Sequence, residues 1–302
     1  MHRLLPRGRT ASHRSPVVCV LGSQLLCRNV ARSQTVSHQQ LRSRRRDGSR
    51  FRESGGRLRR PRAGLRRSRA EQRFRKADRV ILCLVTDRRR VCASGQFDAV
   101  RRCIVEQARH AVEAGLDFVQ IRERDLEASE QLSLAADVVR VTRGTRTRVI
   151  VNDRLDVALA AGADGVHLRA DSLPPSAARS IAPAGFLIGR SVHRLDEAVR
   201  VALDVDYLIA GTVFPTPSKP DGAPLLGVGG LASIAAAVRV PVLAIGGISI
   251  DRIGQVAEAG AAGVAAVGLF IGHCSQTSCR AVPLVGVAEP ARRQFDSMKT
   301  AS

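Results

Sequence analysis

The 302-residue sequence is strongly basic, with 48 Lys and Arg against 27 Asp and Glu, but the charge is unevenly placed. Residues 1–77 hold 22 of the basic residues, 21 of them Arg, and only three acids, Asp47, Glu53 and Glu71. Residues 78–302 are close to neutral, so the body of the chain gives no electrostatic argument for specific nucleic-acid binding, and no run of 18 apolar residues is present to span a membrane.

Residues 1–77 combine Arg clusters (Arg44 to Arg46; Arg66, Arg67 and Arg69) with low hydrophobicity, a composition that predicts a disordered basic arm. An Arg- and Ser-rich, acid-poor leader is one reading. A phosphate-binding arm is another, although Phe51 and Phe74 are its only aromatics and give base stacking little support. The favoured reading is an over-long start, with translation beginning nearer Asp78. The seven cysteines, at 19, 27, 83, 92, 103, 274 and 279, form no C-x-x-C pair and are odd in number. They fit reduced thiols in a cytoplasmic protein better than a disulfide framework.

From residue 79 onward, apolar runs of four to six residues recur at 80–85, 117–121, 148–151, 164–168, 186–189, 206–211, 241–245 and 263–267. Amphipathic stretches lie between them, among them 97–114, 128–142, 154–161, 195–203, 229–238 and 250–259. Eight strands joined by helical connectors predict a parallel α/β fold. Eight units fit a closed (β/α)8 TIM barrel over residues 78–275 better than a doubly wound sheet. No G-x-G-x-x-G follows the first strand, which counts against a dinucleotide fold. Phe270 to Gly286 lacks helical periodicity, so the eighth helix reads as degraded or replaced and residues 276–302 as an irregular tail.

Barrels of this kind carry their active sites at the C-terminal ends of the strands. After the second predicted strand, alternation puts Gln120 and Arg122 on one side. Arg122 and Arg124 offer forked donors for phosphate oxygens, unless Glu123 and Asp125 neutralise them. After the third come Asn152 and Asp153, the latter either a Mg²⁺ ligand or the N-cap of the next helix. The fifth ends in Ser191 and His193, and an imidazole suits proton transfer near neutrality. The sixth opens into a proline-braced loop with Thr216, Ser218 and Lys219, a candidate anion-binding lid. The seventh, Pro241 to Ile245, stops at Gly246-Gly247. There a helix N-terminus and the lack of Cβ atoms favour a phosphate, though a plain tight turn is the alternative.

Taken in order, six motifs resemble the thiamine phosphate synthase/TenI family: Gln-x-Arg-x-basic, Asn-Asp-Arg-x-Asp-x-Ala, Gly-Ala-Asp-Gly-Val-His-Leu, Ile-Gly-x-Ser-x-His, Val-Phe-x-Thr-x-Ser-Lys and Ala-Ile-Gly-Gly-Ile. They cover roughly residues 79–272. The resemblance implies a (β/α)8 barrel of thiamine biosynthesis. Synthases of this family join hydroxymethylpyrimidine pyrophosphate to thiazole phosphate with Mg²⁺. The TenI branch includes a thiazole tautomerase that needs no metal. The resemblance puts Gln120, Arg122 and Asn152 on the pyrophosphate and pyrimidine side, with Asp153 a Mg²⁺ ligand and Lys219 a pyrophosphate contact. It puts Thr216, Ser218 and Gly247 on the thiazole side.

The chain departs from the synthase pattern after His167-Leu168. Where synthases show Gly-Gln-acid-Asp, this sequence has Arg169, Ala170, Asp171 and Ser172, so Ser172 stands at the second metal position. Asp171, one residue early, serves as a ligand only if the loop shifts. Arg124 also stands where synthases normally have Lys. The loss at Ser172 favours a TenI-like tautomerase in which His193 is the acid/base, Gly246 and Gly247 hold the phosphate, and no cofactor is needed. The alternative is a thiamine phosphate synthase with Mg²⁺ on Asp153, and a non-enzymatic barrel is the third reading. The expected partners are these small phosphorylated substrates, and a homo-oligomer is compatible with each reading.

Overall fold

In Ile81–Val85 two sets of side chains alternate. Ile81, Cys83 and Val85 belong to one buried cluster, and Leu82 and Leu84 to another. A strand apolar on both faces is what a parallel sheet covered by helices on one side and closed on itself on the other requires. The computed structural model describes residues 79–92, 94–220, 222–271 and 284–300; the arm expected at 1–77 lies outside the described residues.

Eight parallel strands close into one barrel in sequence order. They are β1 (Ile81–Val85), β2 (Phe118–Ile121), β3 (Arg148–Asn152), β4 (Gly165–Leu168), β5 (Leu187–Val192), β6 (Tyr207–Gly211), β7 (Val242–Ile245) and β8 (Gly263–Ala266). Closure runs through Ile81 opposite Gly263 and Cys83 opposite Ala265. The fold is the (β/α)8 TIM barrel that the alternation of runs predicts, and every predicted strand overlaps an observed one.

The helices are α1 (Arg88–Val91), α2 (Phe97–Glu113), α3 (Ala128–Thr142), α4 (Leu155–Ala160), α5 (Pro175–Ile181), α6 (Leu195–Val201), α7 (Gly227–Ala237), α8 (Ile253–Glu258) and α9 (Val285–Thr300). The longer ones present an apolar stripe to the outward face of the strands, as Val100, Ile104, Ala108 and Ala111 do from α2. Burying a Leu or Val of this shell stabilises the barrel by about 1.5–3 kcal/mol.

The tail expected at 276–302 is corrected: Val285–Thr300 is a helix. Leu284, Ala288, Ala291 and Phe295 supply its buried face. Arg292 ties it to the base of the barrel, donating to Val80 O at 3.0 Å, Gly115 O at 2.7 Å and Asp117 Oδ2 at 3.1 Å. Pro290 and short apolar residues hide the stripe from a periodicity count. Residues 272–283 lie outside the described residues.

The barrel interior is filled by Phe118, Ile150, Leu187, Tyr207, Ile209 and Leu243. The rings of Phe118 and Tyr207 lie 5.3 Å apart, and Gly189 faces Tyr207 because a Cβ there would strike its ring. Cys83 is buried in this interior, and burial pushes its thiol up, so it acts as a small hydrophobe. Among the described residues no helix is long and apolar enough to cross a membrane.

Candidate active site

A cavity of about 680 Å³ opens at the C-terminal ends of the strands. Of the residues singled out from sequence, Arg122, Ser191, His193, Thr216, Ser218, Lys219, Gly246 and Gly247 line it. Gln120, Arg124, Asn152, Asp153 and Asp171 are not in its wall. Five wall residues that the sequence reading passed over are Asp87, Arg90, Thr212, Arg252 and Gly268.

The β7–β8 side is built by backbone. Gly246 and Gly247 follow β7 with φ of 99° and 63°, a left-handed conformation that L side chains rarely adopt. A Cβ at Gly247 would strike Pro215 O, and one at Gly246 would strike Thr212. The loop after β6 is fixed against this turn, because Val213 N–H donates to Ile245 O and Phe214 N–H to Gly246 O, at 2.9 and 3.0 Å. Ser249 then leads into a 3₁₀ turn (Ile250–Arg252), and α8 begins only at Ile253, a little later than a helix directly on the glycines.

Two guanidiniums flank this turn. Arg252 donates to Gly247 O at 2.8 Å and lies 4.9 Å from the Phe214 ring centre. Arg90 reaches from α1 to the second glycine-led turn, its Nη1 3.4 Å from where a Gly268 Cβ would lie. Glycine N–H groups with two fixed cations suit a phosphate dianion. Arg90 sits in a run of three arginines after Asp87 that reads as plain charge, so its sequence signal is weak.

The β2–β5 side is built by side chains. Gln120 Nε2 donates to Asn152 Oδ1 at 3.1 Å, leaving Gln120 Oε1 and Asn152 Nδ2 buried without partners. The two acids that were expected to compete for the arginines are engaged elsewhere. Glu123 accepts from Thr86 Oγ1 at 2.7 Å and from Arg88 N–H, and Asp125 pairs with Arg88 and Arg89 at 2.7 and 2.6 Å. Burial raises the Glu123 carboxyl above its ordinary range, opposed by those hydrogen bonds. Arg122 is left to face the cavity, its pKa lowered by burial and by Arg124, which is exposed.

Beneath the cavity, His167 Nε2 and Ser191 Oγ lie 2.8 Å apart, and the imidazole stacks on Tyr207 with centroids 5.6 Å apart. Burial and then Arg190 push the His167 pKa down to about 3, so the ring is uncharged near neutrality and buttresses Ser191. His193 Nδ1 donates to Gly211 O at 2.5 Å, and its backbone N–H donates to Glu197. Nδ1–H donation leaves Nε2 as the lone-pair nitrogen. Thr216 Oγ1 and Ser218 Oγ lie 3.2 Å apart in the loop that carries Lys219.

Asp153 adopts φ 64°, rare outside glycine but tolerated by Asp. The N-cap alternative is not realised, since Arg154 is the capping residue of α4 and no side chain caps it. Instead Asp153 Oδ2 lies 3.6 Å from Arg169 Nη1, and Oδ1 is buried without a hydrogen-bond partner. The guanidinium of Arg169 also pairs with Asp171, whose side chain is 69% exposed. Arg190 holds this loop in place, donating to Leu173 O at 2.8 Å and Ala170 O at 2.7 Å.

Comparison with known proteins fits this geometry. The family model for thiamine monophosphate synthase (TMP-TENI) matches residues 82–270. The chain is 44% identical to a thiamine-phosphate synthase of Methanoculleus marisnigri over 178 residues, 59% of this chain and 84% of that protein. It is 38% identical to one of Roseiflexus castenholzii over 195 residues, 64% of this chain and 82% of that one. Among solved structures, thiamine phosphate pyrophosphorylase of Pyrococcus furiosus superposes with a TM-score of 0.59 at 32% identity, over 72% of this chain and 96% of that chain. A 3-hexulose-6-phosphate synthase at 18% identity and TM-score 0.51 shares the fold. With its six strand-end motifs seated on a closed barrel, the chain belongs to the thiamine phosphate synthase/TenI family and is an enzyme barrel of thiamine biosynthesis.

Proposed function

We propose that the chain is a thiamine phosphate synthase, the reading that stood second on sequence alone. The observation that carries it is the Gln120–Asn152 pair. Gln120 Oε1 and Asn152 Nδ2, on the adjacent strands β2 and β3 and outside the cavity wall, are each buried without a partner, and an unpaired buried group costs about 1–3 kcal/mol. An aminopyrimidine edge offers the complementary donor and acceptor, and a tautomerase acting on thiazole phosphate has no pyrimidine to place there. Relatives named thiamine-phosphate synthase support the same choice.

In this reading Gly246, Gly247 and Gly268, with Arg90 and Arg252, hold the thiazole phosphate. Arg122 and Lys219 hold the diphosphate of the second substrate. The bond from the pyrimidine methylene carbon to the diphosphate oxygen breaks, and its electron pair leaves with the oxygen. The methylene carbon is captured by the lone pair of the thiazole nitrogen, giving thiamine phosphate and free diphosphate. Cations fixed around the departing oxygens stabilise charge as it develops, without reorganising at that moment. Thr216 and Ser218 orient the thiazole, and Ser191, braced by the uncharged His167, supplies a hydroxyl to the mouth.

The resemblance also implies Mg²⁺ on this side, but the donor set does not fit it well. One Asp153 oxygen already faces a guanidinium, Asp171 is paired with the same guanidinium, and Ser172 stands where a carboxylate is expected. Among the described residues no group of three or more His, Cys, Asp or Glu could hold a metal ion. The charge-neutralising groups assigned above are therefore the chain's own cations.

Incubating the full chain with both substrates tests the reading. Thiamine phosphate as product supports it. Binding of thiazole phosphate without product overturns it in favour of the tautomerase, which Ser172 and the lone pair of His193 Nε2 favour. Conversion of carboxylated thiazole phosphate, lost in a His193 variant, would then be the expected result.

A further inference from the structure

We propose that Arg169 takes the place of the divalent cation on the diphosphate side of the mouth, so that this chain binds diphosphate without metal. The inference rests on the synthase reading for the identity of the anion. Its own support is a set of contacts around one guanidinium.

Arg169 Nη1 faces Asp153 Oδ2 at 3.6 Å, while Nη2 pairs with Asp171. One cation thus bridges two carboxylates, one each from the β3 and β4 strand ends. Arg190 adds a second positive charge, on which Asp153, Asp171 and Glu197 all act electrostatically. A dication entering here would meet two fixed guanidiniums. In most metal sites carboxylates outnumber neighbouring cations, and Mg²⁺ in particular depends on oxygen ligands in near-ideal geometry. Here an Arg at 169 adds a cation and a Ser at 172 stands where a carboxylate is expected.

A rescue by Asp171 would need the β4–α5 loop to swing inward. Three contacts oppose that movement: Arg190 to Leu173 O, Arg190 to Ala170 O, and Ser172 N–H to Arg169 O at 3.2 Å. Arg169 is also long enough, and with its side chain 40% exposed free enough, to turn from Asp153 toward an incoming anion. A guanidinium binds such oxygens through two parallel N–H donors and keeps its charge at any physiological pH. In that position Arg169 would join the cations of the cavity wall, Arg122 and Lys219.

Calorimetric titration of the full chain with inorganic diphosphate, once with chelator and once with Mg²⁺, reads this directly. The expected result is binding in chelator, with affinity changed less than about threefold by Mg²⁺. Arg169→Gly should weaken the metal-free binding about tenfold or more, Arg169→Lys should keep most of it, and Arg169→Gly with Ser172→Asp should bind only with Mg²⁺. Binding by the wild type only when Mg²⁺ is present would overturn the proposal, as would no binding in either condition or an unchanged metal-free affinity in Arg169→Gly. Thiamine phosphate formation measured in parallel separates the two claims. Product formed only with Mg²⁺ overturns the role of Arg169 and leaves the synthase standing. Diphosphate binding in chelator with no product in either condition overturns the synthase and leaves Arg169 as an anion site.

Discussion

The two sides of the barrel mouth are built from different material. On the β7–β8 side, position is set by backbone: two glycines with positive φ, a loop hydrogen-bonded against them, and little room for any side chain. On the β2–β5 side, position is set by side chains that neutralise or brace one another, such as Gln120 with Asn152, His167 with Ser191, and Arg169 with Asp153. A backbone cradle changes little with sequence so long as the glycines stay. A side-chain constellation changes its chemistry with one substitution, as Ser172 and Arg169 illustrate. Under the proposed function, specificity for the phosphate belongs to the first half and the choice of reaction and cation to the second.

The sharpest way to break this division is Gly247→Val. A left-handed β-branched residue against Pro215 O is expected to cost at least on the order of 100-fold in kcat/KM through the thiazole phosphate. The KM for the pyrimidine substrate should stay within about threefold; steady-state kinetics with each substrate varied in turn checks both.

Next in size, Arg122→Met should lower kcat/KM for the pyrimidine substrate by roughly 30- to 100-fold, because a fixed, half-buried donor to the leaving group is lost. Exposed Arg124→Met, two residues away, should change it less than about threefold, and equal effects in the two variants would count against a built anion site.

His193→Gln should reduce thiamine phosphate formation by less than about tenfold, since positioning through Gly211 O is all the synthase asks of it. A loss on the order of 1,000-fold in that assay would instead mark proton transfer by His193.

The smallest expected effect is on stability. His167 is held uncharged with a pKa of about 3 in the fold against 6.5 when exposed. Between those values the unfolded chain takes up a proton that the folded chain refuses, so stability falls as pH drops from 6.5 toward 3 and this group contributes no further loss below 3. The slope from this group is at most about 1.4 kcal/mol per pH unit. Denaturant midpoints of His167→Gln measured at pH 7, 5.5 and 4.5 should fall less steeply than those of the wild type.

Much of the fold was legible because strand and helix alternate with a period that composition cannot hide. Eight apolar runs predicted eight strands, and Gly246-Gly247 announced its turn because few other residues tolerate that backbone. The last helix was not legible, because Pro290 interrupts its pattern and its anchor, Arg292, bonds to residues about 175 to 212 positions earlier in the chain. Arg90 and Arg252 were missed for a related reason: nothing local distinguishes a guanidinium aimed at a glycine turn from one in water. The balance between tautomerase and synthase also shifted. The sequence weighed the loss at Ser172 most heavily, whereas the buried, half-satisfied Gln120–Asn152 pair exists only once two strands lie side by side.

The sequence by itself therefore determined the barrel, the order of its strand ends and the glycine turn after β7, because each depends on local periodicity or on the conformational range of a single residue. Only the tertiary structure decided which charges remain free to meet a ligand. Glu123 and Asp125 are taken up by α1, Asp171 is paired with Arg169, and Arg122 is left facing the cavity. An ion pair is a property of distance in space, and residues that are neighbours in sequence do not fix that distance.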